Sequence, residues 1–275
     1  MDLIIHNARI IDPYQDVDLV GDIVVKDGLV DYVGHSLGEN HSDKRVIEAQ
    51  GLIASPGFVD LHCHLRDPGF ESKETIVTGT KAAAKGGFTT ICCMPNTDPP
   101  MDTPAVVQYV KDQAKRAAQV RVFPVGCVTK AREGKALSDM YALAESGVVL
   151  YSDDGNPVYD PDIMRMALAY AGDLGLSISN HCEDQSLSRG GVMHEGDVSI
   201  RLGLPGIPST AEEIMVARDI ALAESTGGLL HIAHISTAGS VELVKQAKDR
   251  GLNITAEVTP HHLTMNDFWV AGKAT

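Results

Sequence analysis

Short apolar segments separated by turn residues fill the first 53 residues of the chain. Residues 3–5, 22–25, 29–33 and 46–48 are mainly apolar, and Asp27 and Gly28 lie between two of these runs. An Asp-Gly pair flanked by apolar runs is a strong signal for a β-hairpin. The pattern predicts a small β unit, with a domain boundary between residues 53 and 54.

A different pattern begins after Ser55, Pro56 and Gly57. Apolar segments now alternate with longer segments rich in Ala, Glu and Lys. Such alternation predicts βα units and therefore an α/β fold with a parallel sheet. The predicted strands are 57–61, 89–94, 120–125, 148–151, 176–179, 229–233 and 253–258. The predicted helices are 73–85, 104–117, 136–145, 161–174, 210–226 and 238–249.

Seven βα units indicate a TIM-type (β/α)8 barrel. Only 17 residues follow Val258, which is too few for another helix and strand of typical length. We therefore expect residues 54–275 to form an incomplete barrel of about seven strands.

Composition and charge narrow the class of protein. A hydrophobic fraction of 44% is sufficient for a sizeable core. The formal net charge of −14 repels phosphate groups, so nucleic acids and anionic membrane surfaces are poor partners. The five cysteines form no CxxC pair and indicate reduced thiols in a cytoplasmic protein. Neither a signal peptide nor a membrane-spanning apolar run is visible.

Candidate metal ligands follow the predicted strands. Because the carboxyl ends of barrel strands meet at one mouth, side chains in these positions converge. The candidates are His62 and His64 after the first strand, Asp153 and Asp154 after the fourth, His181 after the fifth and His234 after the sixth. The two histidines after the first strand lie two residues apart, so both project to the same side of an extended segment. Their convergence predicts a metal site.

The ligand types and their number point to a particular metal centre. Imidazole and carboxylate suit Zn²⁺ best, although Mn²⁺, Co²⁺ and Ni²⁺ bind the same groups. Four imidazoles and a carboxylate exceed the needs of one tetrahedral zinc. Two metals that share a carboxylate and a water would use this excess and lower the pKa of the water. A hydrolase with two zinc ions is therefore predicted.

The strand-end motifs resemble those of the amidohydrolase superfamily and, within it, of the dihydroorotases. They lie at residues 60–69, 86–90, 94–97, 153–155, 181–183 and 231–234, and the resemblance covers essentially the whole chain. The implied zinc ligands are His62, His64, Asp154, His181 and His234. By resemblance, the first two hold the more buried ion, the last two hold the more exposed ion, and Asp154 bridges them. Asp153 stays the alternative bridging residue.

The resemblance also implies an acidic ring as substrate. Arg66 would hold the ring carboxylate with paired hydrogen bonds, and Asn96 would add an amide contact. Two alternatives stay open: Arg66 pairs with Asp67 or Glu71 at the surface, or Asn96 only shapes its own turn.

Further polar residues near the strand ends have less specific roles. Asn180, Glu183 and residues 260–262 are candidates for orienting the ligands or contacting substrate. The remaining histidines outside the motifs are expected to be ordinary surface residues; they are His6, His35, His41 and His194.

The implied reaction is the reversible, metal-dependent hydrolysis of the cyclic amide of dihydroorotate to carbamoyl aspartate, in pyrimidine biosynthesis. The expected location is the cytoplasm, and the candidate assemblies are a homodimer and a complex with aspartate transcarbamoylase; the sequence leaves the oligomeric state open. Its catalytic aspartate would follow an eighth strand beyond residue 275, and later strands would complete a β-sandwich with residues 1–53. The chain is therefore expected to be C-terminally truncated, to bind metal and to catalyse slowly.

Two other functions remain as alternatives. Allantoinases, dihydropyrimidinases and hydantoinases share the barrel and the paired histidines, but their substrates lack the carboxylate that Arg66 and Asn96 would bind. A non-catalytic, dihydroorotase-like scaffold subunit of aspartate transcarbamoylase would be expected to lose metal ligands, whereas all five are present.

Overall fold

Contacts between residues divide the chain into two units, Met1–Phe58 and Val59–Thr275. The computed structural model describes residues 3–38 and 45–271. His41, one of the histidines expected at the surface, lies outside the described residues.

The first unit is a β-sheet built around one long strand. Its strands are β1 (Leu3–Asp12), β2 (Val17–Lys26), β3 (Leu29–Gly34), β4 (Arg45–Glu48) and β5 (Ile53–Ala54). The order is β3-β2-β1-β4, and β5 also pairs with β1. Strands β1, β2 and β3 are antiparallel neighbours, whereas β4 and β5 run parallel to β1. Asp27 (φ 50°) and Gly28 (φ 80°) both adopt the left-handed conformation that a type I′ hairpin turn requires.

His6 is not the ordinary surface residue that the sequence indicated. Its side chain is 13% exposed, and its Nδ1 lies 2.9 Å from Oδ1 of the fully buried Asp22. The same carboxylate accepts hydrogen bonds from the backbone N–H groups of Asn7 and Leu37. Asp22 therefore joins β1 to the segment after β3. His35 and His194 are exposed, as expected.

The second unit contains the predicted βα units. Its strands are β6 (Phe58–Cys63), β7 (Phe88–Cys93), β8 (Arg121–Pro124), β9 (Leu150–Tyr151), β10 (Ser177–Asn180), β11 (Met193–His194), β12 (Gly206–Ile207), β13 (Leu229–Ile232) and β14 (Ile254–Ala256). The sheet orders are β6-β7-β8 and β14-β13-β10-β9, and a parallel bridge between Gly126 and Tyr151 links the two sheets. These seven strands of the described chain correspond to the seven predicted strands.

The helices follow the strands in alternation. They are α1 (Ile76–Lys85), α2 (Pro104–Ala117), α3 (Met140–Ser146), α4 (Pro161–Asp173), α5 (Gln185–Ser188), α6 (Asp197–Leu202), α7 (Thr210–Thr226), α8 (Ala238–Asp249) and α9 (Pro260–Thr264). The six longest correspond to the predicted helices. The short elements α5, β11, α6 and β12, between β10 and α7, were not predicted. None of the helices in the described ranges has the length and apolar character needed to cross a bilayer.

Local signals explain where the long helices begin and end. Asp160 accepts hydrogen bonds from the N–H groups of Asp162 and Ile163, and Pro161 occupies the first turn of α4. Helix α7 ends at Gly227, whose φ of 70° suits a glycine cap. Helices α4 and α7 pack together; α4 buries Met, Leu and Ala side chains, and α7 buries mainly Met, Ile, Val and Ala side chains. This packing fixes the strands whose ends carry the candidate ligands.

Candidate metal centre

Five side chains from four strand ends meet around one carboxylate. They are His62 on β6, His64 just after β6, Asp154 after β9, His181 after β10 and His234 after β13. Two groups of three share Asp154: one with His62 and His64, the other with His181 and His234. In each group the potential ligand atoms lie within 4.8 Å of one another. The structure therefore brings together all five residues that the resemblance implied.

The Asp154 carboxylate is the centre of this cluster. Its Oδ1 lies 3.3 Å from His62 Nε2, 3.7 Å from His234 Nε2 and 3.8 Å from His181 Nδ1, and its Oδ2 lies 3.4 Å from His64 Nε2. Asp154 is 4% exposed, and its Oδ1 has no hydrogen-bond partner among the residues described. A buried, unpaired carboxylate oxygen is costly. A divalent cation among these atoms would remove that cost, so the residues fit a metal.

Three of the histidines make a hydrogen bond with the ring nitrogen that faces away from Asp154, and this bond determines which nitrogen faces the carboxylate. The contacts are His62 Nδ1 to Glu257 Oε1 (2.6 Å), His64 Nδ1 to Asn96 Oδ1 (2.9 Å) and His181 Nε2 to Glu183 Oε2 (3.0 Å). Each of these oxygens accepts, so the ring nitrogen that contacts it carries the proton. A neutral ring then presents the lone pair of its other nitrogen to the cluster. This arrangement is typical of metal-ligating histidines.

The short contact between His181 and His234 also indicates a proton or a cation between the two rings. His181 Nδ1 and His234 Nε2 are 3.0 Å apart. Two imidazole lone pairs repel at this distance unless a proton or a cation lies between them. His234 also has a φ of 32°, an uncommon conformation for a residue other than glycine, and such outliers concentrate at functional sites.

The charges of the cluster shift the pKa values of its members. Burial lowers the pKa of His62, but the carboxylates of Asp154 and Glu257 outweigh burial and raise this pKa to about 9. Burial raises the pKa of Glu257, but His231 and His62 outweigh burial and lower this pKa to about 2. Burial also opposes ionisation of Asp154, yet the surrounding imidazoles hold its pKa well below the ordinary range. In the metal-free protein His62 is therefore cationic between two carboxylates at neutral pH.

Asp153 has different partners from Asp154. Its Oδ1 accepts hydrogen bonds from the N–H groups of Val128 (2.9 Å) and Thr129 (3.1 Å), and its Oδ2 accepts one from the Thr129 hydroxyl. Arg132 donates to the backbone carbonyls of both aspartates. Asp153 thus holds the loop after β8, while Asp154 faces the histidines.

The sequence did not predict a role for Glu257 or its contact with His231. Glu257 directly follows β14, and its Oε2 lies 3.3 Å from Nε2 of the buried His231. His231 Nδ1 lies 2.8 Å from Thr255 Oγ1. The predicted seventh strand (253–258) contains Glu257, whereas in the structure this residue lies one position past β14, the same kind of position as the candidate ligands.

Asn96 contacts both a candidate ligand and the central carboxylate. Its Oδ1 accepts from His64 Nδ1, and its Nδ2 donates to Asp154 Oδ2 over 3.4 Å. It therefore does more than shape its own turn. Whether it also contacts substrate stays a prediction.

Arg66 is half-buried beside His64. Burial lowers the pKa of His64, and the positive charge of Arg66 lowers it further. Neither of the acidic residues that could neutralise Arg66 does so in the described structure: Asp67 accepts a hydrogen bond from Tyr109 Oη, and Glu71 accepts one from the N–H of Gly69. The guanidinium is thus available to an anionic ligand.

The remaining candidates differ in position. Glu183 contacts His181, as a ligand-orienting residue should. Asn180 is buried and donates to Asp219 Oδ2 (2.5 Å), so its side chain binds helix α7 rather than the cluster. His261 and His262 are exposed, and His262 Nε2 lies 3.0 Å from Ser236 Oγ.

A cavity of about 350 Å³ adjoins His181 and His234. Its apolar wall includes Val192 and Ile207, and Glu183 also lines it. Much of this wall comes from the short elements between β10 and α7, which the sequence pattern did not reveal. The volume is sufficient for a small ring compound.

Comparisons with known proteins agree on one family. A family model described as "Dihydro-orotase-like" matches residues 51–240, which is more than half of the chain. The "Dihydroorotase" of Pelotomaculum thermopropionicum is 50% identical over 272 residues, covering 99% of this chain and 63% of that protein. The "Dihydroorotase" of Citrifermentans bemidjiense is 48% identical over 275 residues, covering 100% of this chain and 65% of that protein. The chain thus spans about two thirds or less of the length of these relatives.

Solved structures show what the fold is similar to. The L-hydantoinase (dihydropyrimidinase) from Arthrobacter aurescens superposes with a TM-score of 0.81 at 23% identity, covering 98% of this chain and 60% of that chain. The D-hydantoinase (dihydropyrimidinase) from Thermus sp. gives 0.73 at 24% identity, with coverage of 98% and 60%. At this identity the likeness concerns the α/β fold alone.

We expect the two adjacent aspartates to respond differently to the same substitution. Asp154→Asn removes the shared carboxylate, so the affinity for Zn²⁺ should fall by more than the roughly 10–100-fold that is typical of outer-shell changes. Asp153→Asn should cost about 1–3 kcal/mol of stability, because buried hydrogen bonds are weakened, and should keep most of the metal affinity. Metal content by mass spectrometry and chemical denaturation measure the two effects. An Asp153 variant that loses metal while Asp154→Asn keeps it would reverse the assignment.

The stability of the metal-free protein should fall in alkaline solution. A histidine whose folded pKa is raised stabilises the fold fully below its unfolded pKa and loses this effect as pH rises through the folded pKa. For His62 the window runs from its ordinary value of 6.5 to about 9. The loss should be on the order of 1–3 kcal/mol, and His62→Gln should reduce it. Urea denaturation with a chelator, at a series of pH values, measures this; a loss of equal size in the variant would contradict it.

Proposed function

The chain belongs to the dihydro-orotase-like family, and on that premise we propose that it acts as a dihydroorotase. The reaction is the reversible hydrolysis of the cyclic amide of dihydroorotate to carbamoyl aspartate, a step of pyrimidine biosynthesis. The observation that carries the proposal is the buried Asp154 carboxylate with four imidazoles around it. Relatives named dihydroorotase at 47–50% identity give the substrate.

The proposed cofactor is a pair of Zn²⁺ ions. His62 and His64 would hold one, His181 and His234 would hold the other, and Asp154 would bridge them. When bound, such a pair supplies an activated water and polarises the carbonyl of the amide. The unpaired Oδ1 of Asp154 and the oriented ring nitrogens support this assignment.

The proposed substrate contacts lie on the His64 side of the cluster. Arg66 has an unneutralised guanidinium near His64, and the Asn96 amide reaches both His64 and Asp154. A ring carboxylate bound by these two side chains would lie beside His64, with the amide bond directed to the metal ligands. The paired donors of Arg66 are suited to a carboxylate.

We also propose an architecture, a cellular location and an assembly for the chain. Residues 54–275 would form a TIM-type barrel of about seven strands, and residues 1–53 would be part of a β-sandwich. A cytoplasmic location, and assembly as a homodimer or with aspartate transcarbamoylase, stay predictions. The described cysteines are free thiols, in keeping with a reducing compartment.

The dihydroorotase proposal has more support than the alternatives. The likeness to hydantoinases concerns the fold, at 23–24% identity for the two structures compared, and one fold can serve many reactions. A non-catalytic scaffold has no need for the complete set of ligands, and the structure gathers all five.

The test is an assay of the zinc-loaded chain with dihydroorotate, allantoin and dihydrouracil. We expect metal-dependent binding of dihydroorotate and its conversion to carbamoyl aspartate, with dihydrouracil and allantoin bound more weakly because they lack the ring carboxylate. Isothermal titration and product detection by chromatography measure both steps. Preference for either neutral ring, or a chain that binds neither metal nor dihydroorotate, would contradict the proposal.

Replacing Arg66 should affect substrate affinity and leave the metals in place. Charge-assisted hydrogen bonds contribute about 1.5–3 kcal/mol, so Arg66→Met should weaken binding of dihydroorotate roughly 10–100-fold. Arg66→Lys keeps the charge but not the paired donors and should show a smaller loss. Metal content serves as the control. Unchanged affinity in Arg66→Met would show that the carboxylate binds elsewhere.

A further inference from the structure

Glu257 contacts two histidines of the second unit with one carboxylate. Its Oε1 lies 2.6 Å from Nδ1 of His62, and its Oε2 lies 3.3 Å from Nε2 of His231. Thr255 Oγ1 lies 2.8 Å from the other ring nitrogen of His231. With the threonine hydroxyl donating there, the His231 proton is on Nε2, which contacts Glu257 Oε2 without the geometry of a hydrogen bond. One oxygen is thus directed to the metal cluster, and the other contacts a buried ring outside it.

Backbone hydrogen bonds also join Glu257 to the residues before and after His234. Its N–H donates to the carbonyl of Ile232 (3.1 Å), and its carbonyl accepts from the N–H of Ile235 (2.8 Å). These bonds leave the main chain of residue 257 little freedom. Its side chain reaches His62, on the other half of the cluster. A substitution of the side chain therefore separates an effect on His62 from an effect on the His234 loop.

The outer partners of the three oriented histidines are not equivalent. His62 has a carboxylate whose side chain is 19% exposed, whereas His181 has one that is 37% exposed. His64 has a neutral amide, that of Asn96. A carboxylate shielded from water polarises an imidazole more strongly than a solvated carboxylate or an amide, because screening is weaker. His62 is thus the ligand most dependent on its outer partner.

We propose that Glu257 is a positioning residue that holds His62 with Nε2 toward Asp154 and increases its strength as a metal ligand, while His231 packs against the other oxygen of its carboxylate. The inference depends on the proposed function only in that the cluster must bind divalent metal. It concerns one half of the cluster: the side chain of Glu257 supports the site of His62 and His64 and does not touch His181 or His234.

The experiment compares metal binding by the full chain, Glu257→Gln and Glu257→Ala. Glutamine keeps an oxygen that accepts from Nδ1 of His62 but lacks the charge, whereas alanine lacks both. We expect the affinity for one of two Zn²⁺ ions to fall roughly 10-fold with glutamine and roughly 100-fold with alanine, within the range known for outer-shell partners. Competition with a chromogenic chelator gives the affinities. The visible spectrum of Co²⁺, which replaces Zn²⁺, should change for that same ion.

Glu242→Gln is the matched control, because it makes the same change on the exposed face of α8. Its zinc affinities and Co²⁺ spectrum should equal those of the unmodified chain. Thermal unfolding of the metal-free variants shows whether folding itself is changed, and the glutamine variant keeps the test valid if the alanine variant fails to fold.

The outcomes separate this inference from the proposed function. Two metals bound by the unmodified chain, with equal affinities in Glu257→Gln and Glu257→Ala, would overturn the role of Glu257 and leave the dihydroorotase proposal intact. Equal weakening of both ions, together with a lowered melting temperature in the glutamine variant, would also overturn it, because Glu257 would then be a general structural residue. An unmodified chain that binds no metal would overturn both.

Discussion

A carboxylate buried in protein needs compensating partners, because loss of hydration costs several kcal/mol unless donors or positive charge replace the water. Asp154 meets this condition only in part: ring nitrogens surround it at 3.3–3.8 Å, yet one of its oxygens has no hydrogen bond among the described residues. A proton on His62 gives some compensation, and a divalent cation would give more. The strand ends, the outer hydrogen bonds and the packed helices all serve to keep these groups together.

Two adjacent aspartates show how surroundings assign different roles to the same chemical group. Asp153 accepts hydrogen bonds from the loop after β8, and burial raises its pKa. Asp154 faces imidazoles, which lower its pKa despite burial. The first carboxylate therefore fixes a loop, and the second is a charged candidate ligand. Arg132 donates to the backbone carbonyls of both aspartates and so ties this turn to the loop after β8.

The strands, the long helices and the five candidate ligands could be predicted because each leaves a local pattern: an apolar run, a cap, or a histidine or aspartate just past a strand. Glu257 was missed because the predicted seventh strand (253–258) contains it and because its importance comes from His62, which is distant in sequence. Asn180 shows the opposite error, since a strand-end residue can bind a helix instead of the site. The role of His6 depends in the same way on Asp22, its partner on the neighbouring strand.

The same arrangement of metal-ligand candidates at strand ends can support several ring-opening reactions. The fold therefore cannot by itself select the substrate. Solved hydantoinases share this fold at 23–24% identity. What distinguishes substrates must lie in side chains at the mouth that are not needed to hold metal. Arg66 is such a residue: it is half-buried next to His64, and the acidic residues beside it in sequence have other partners. Under the proposed function, a half-buried guanidinium without an acidic partner beside the metal ligands is suited to a substrate that brings its own carboxylate.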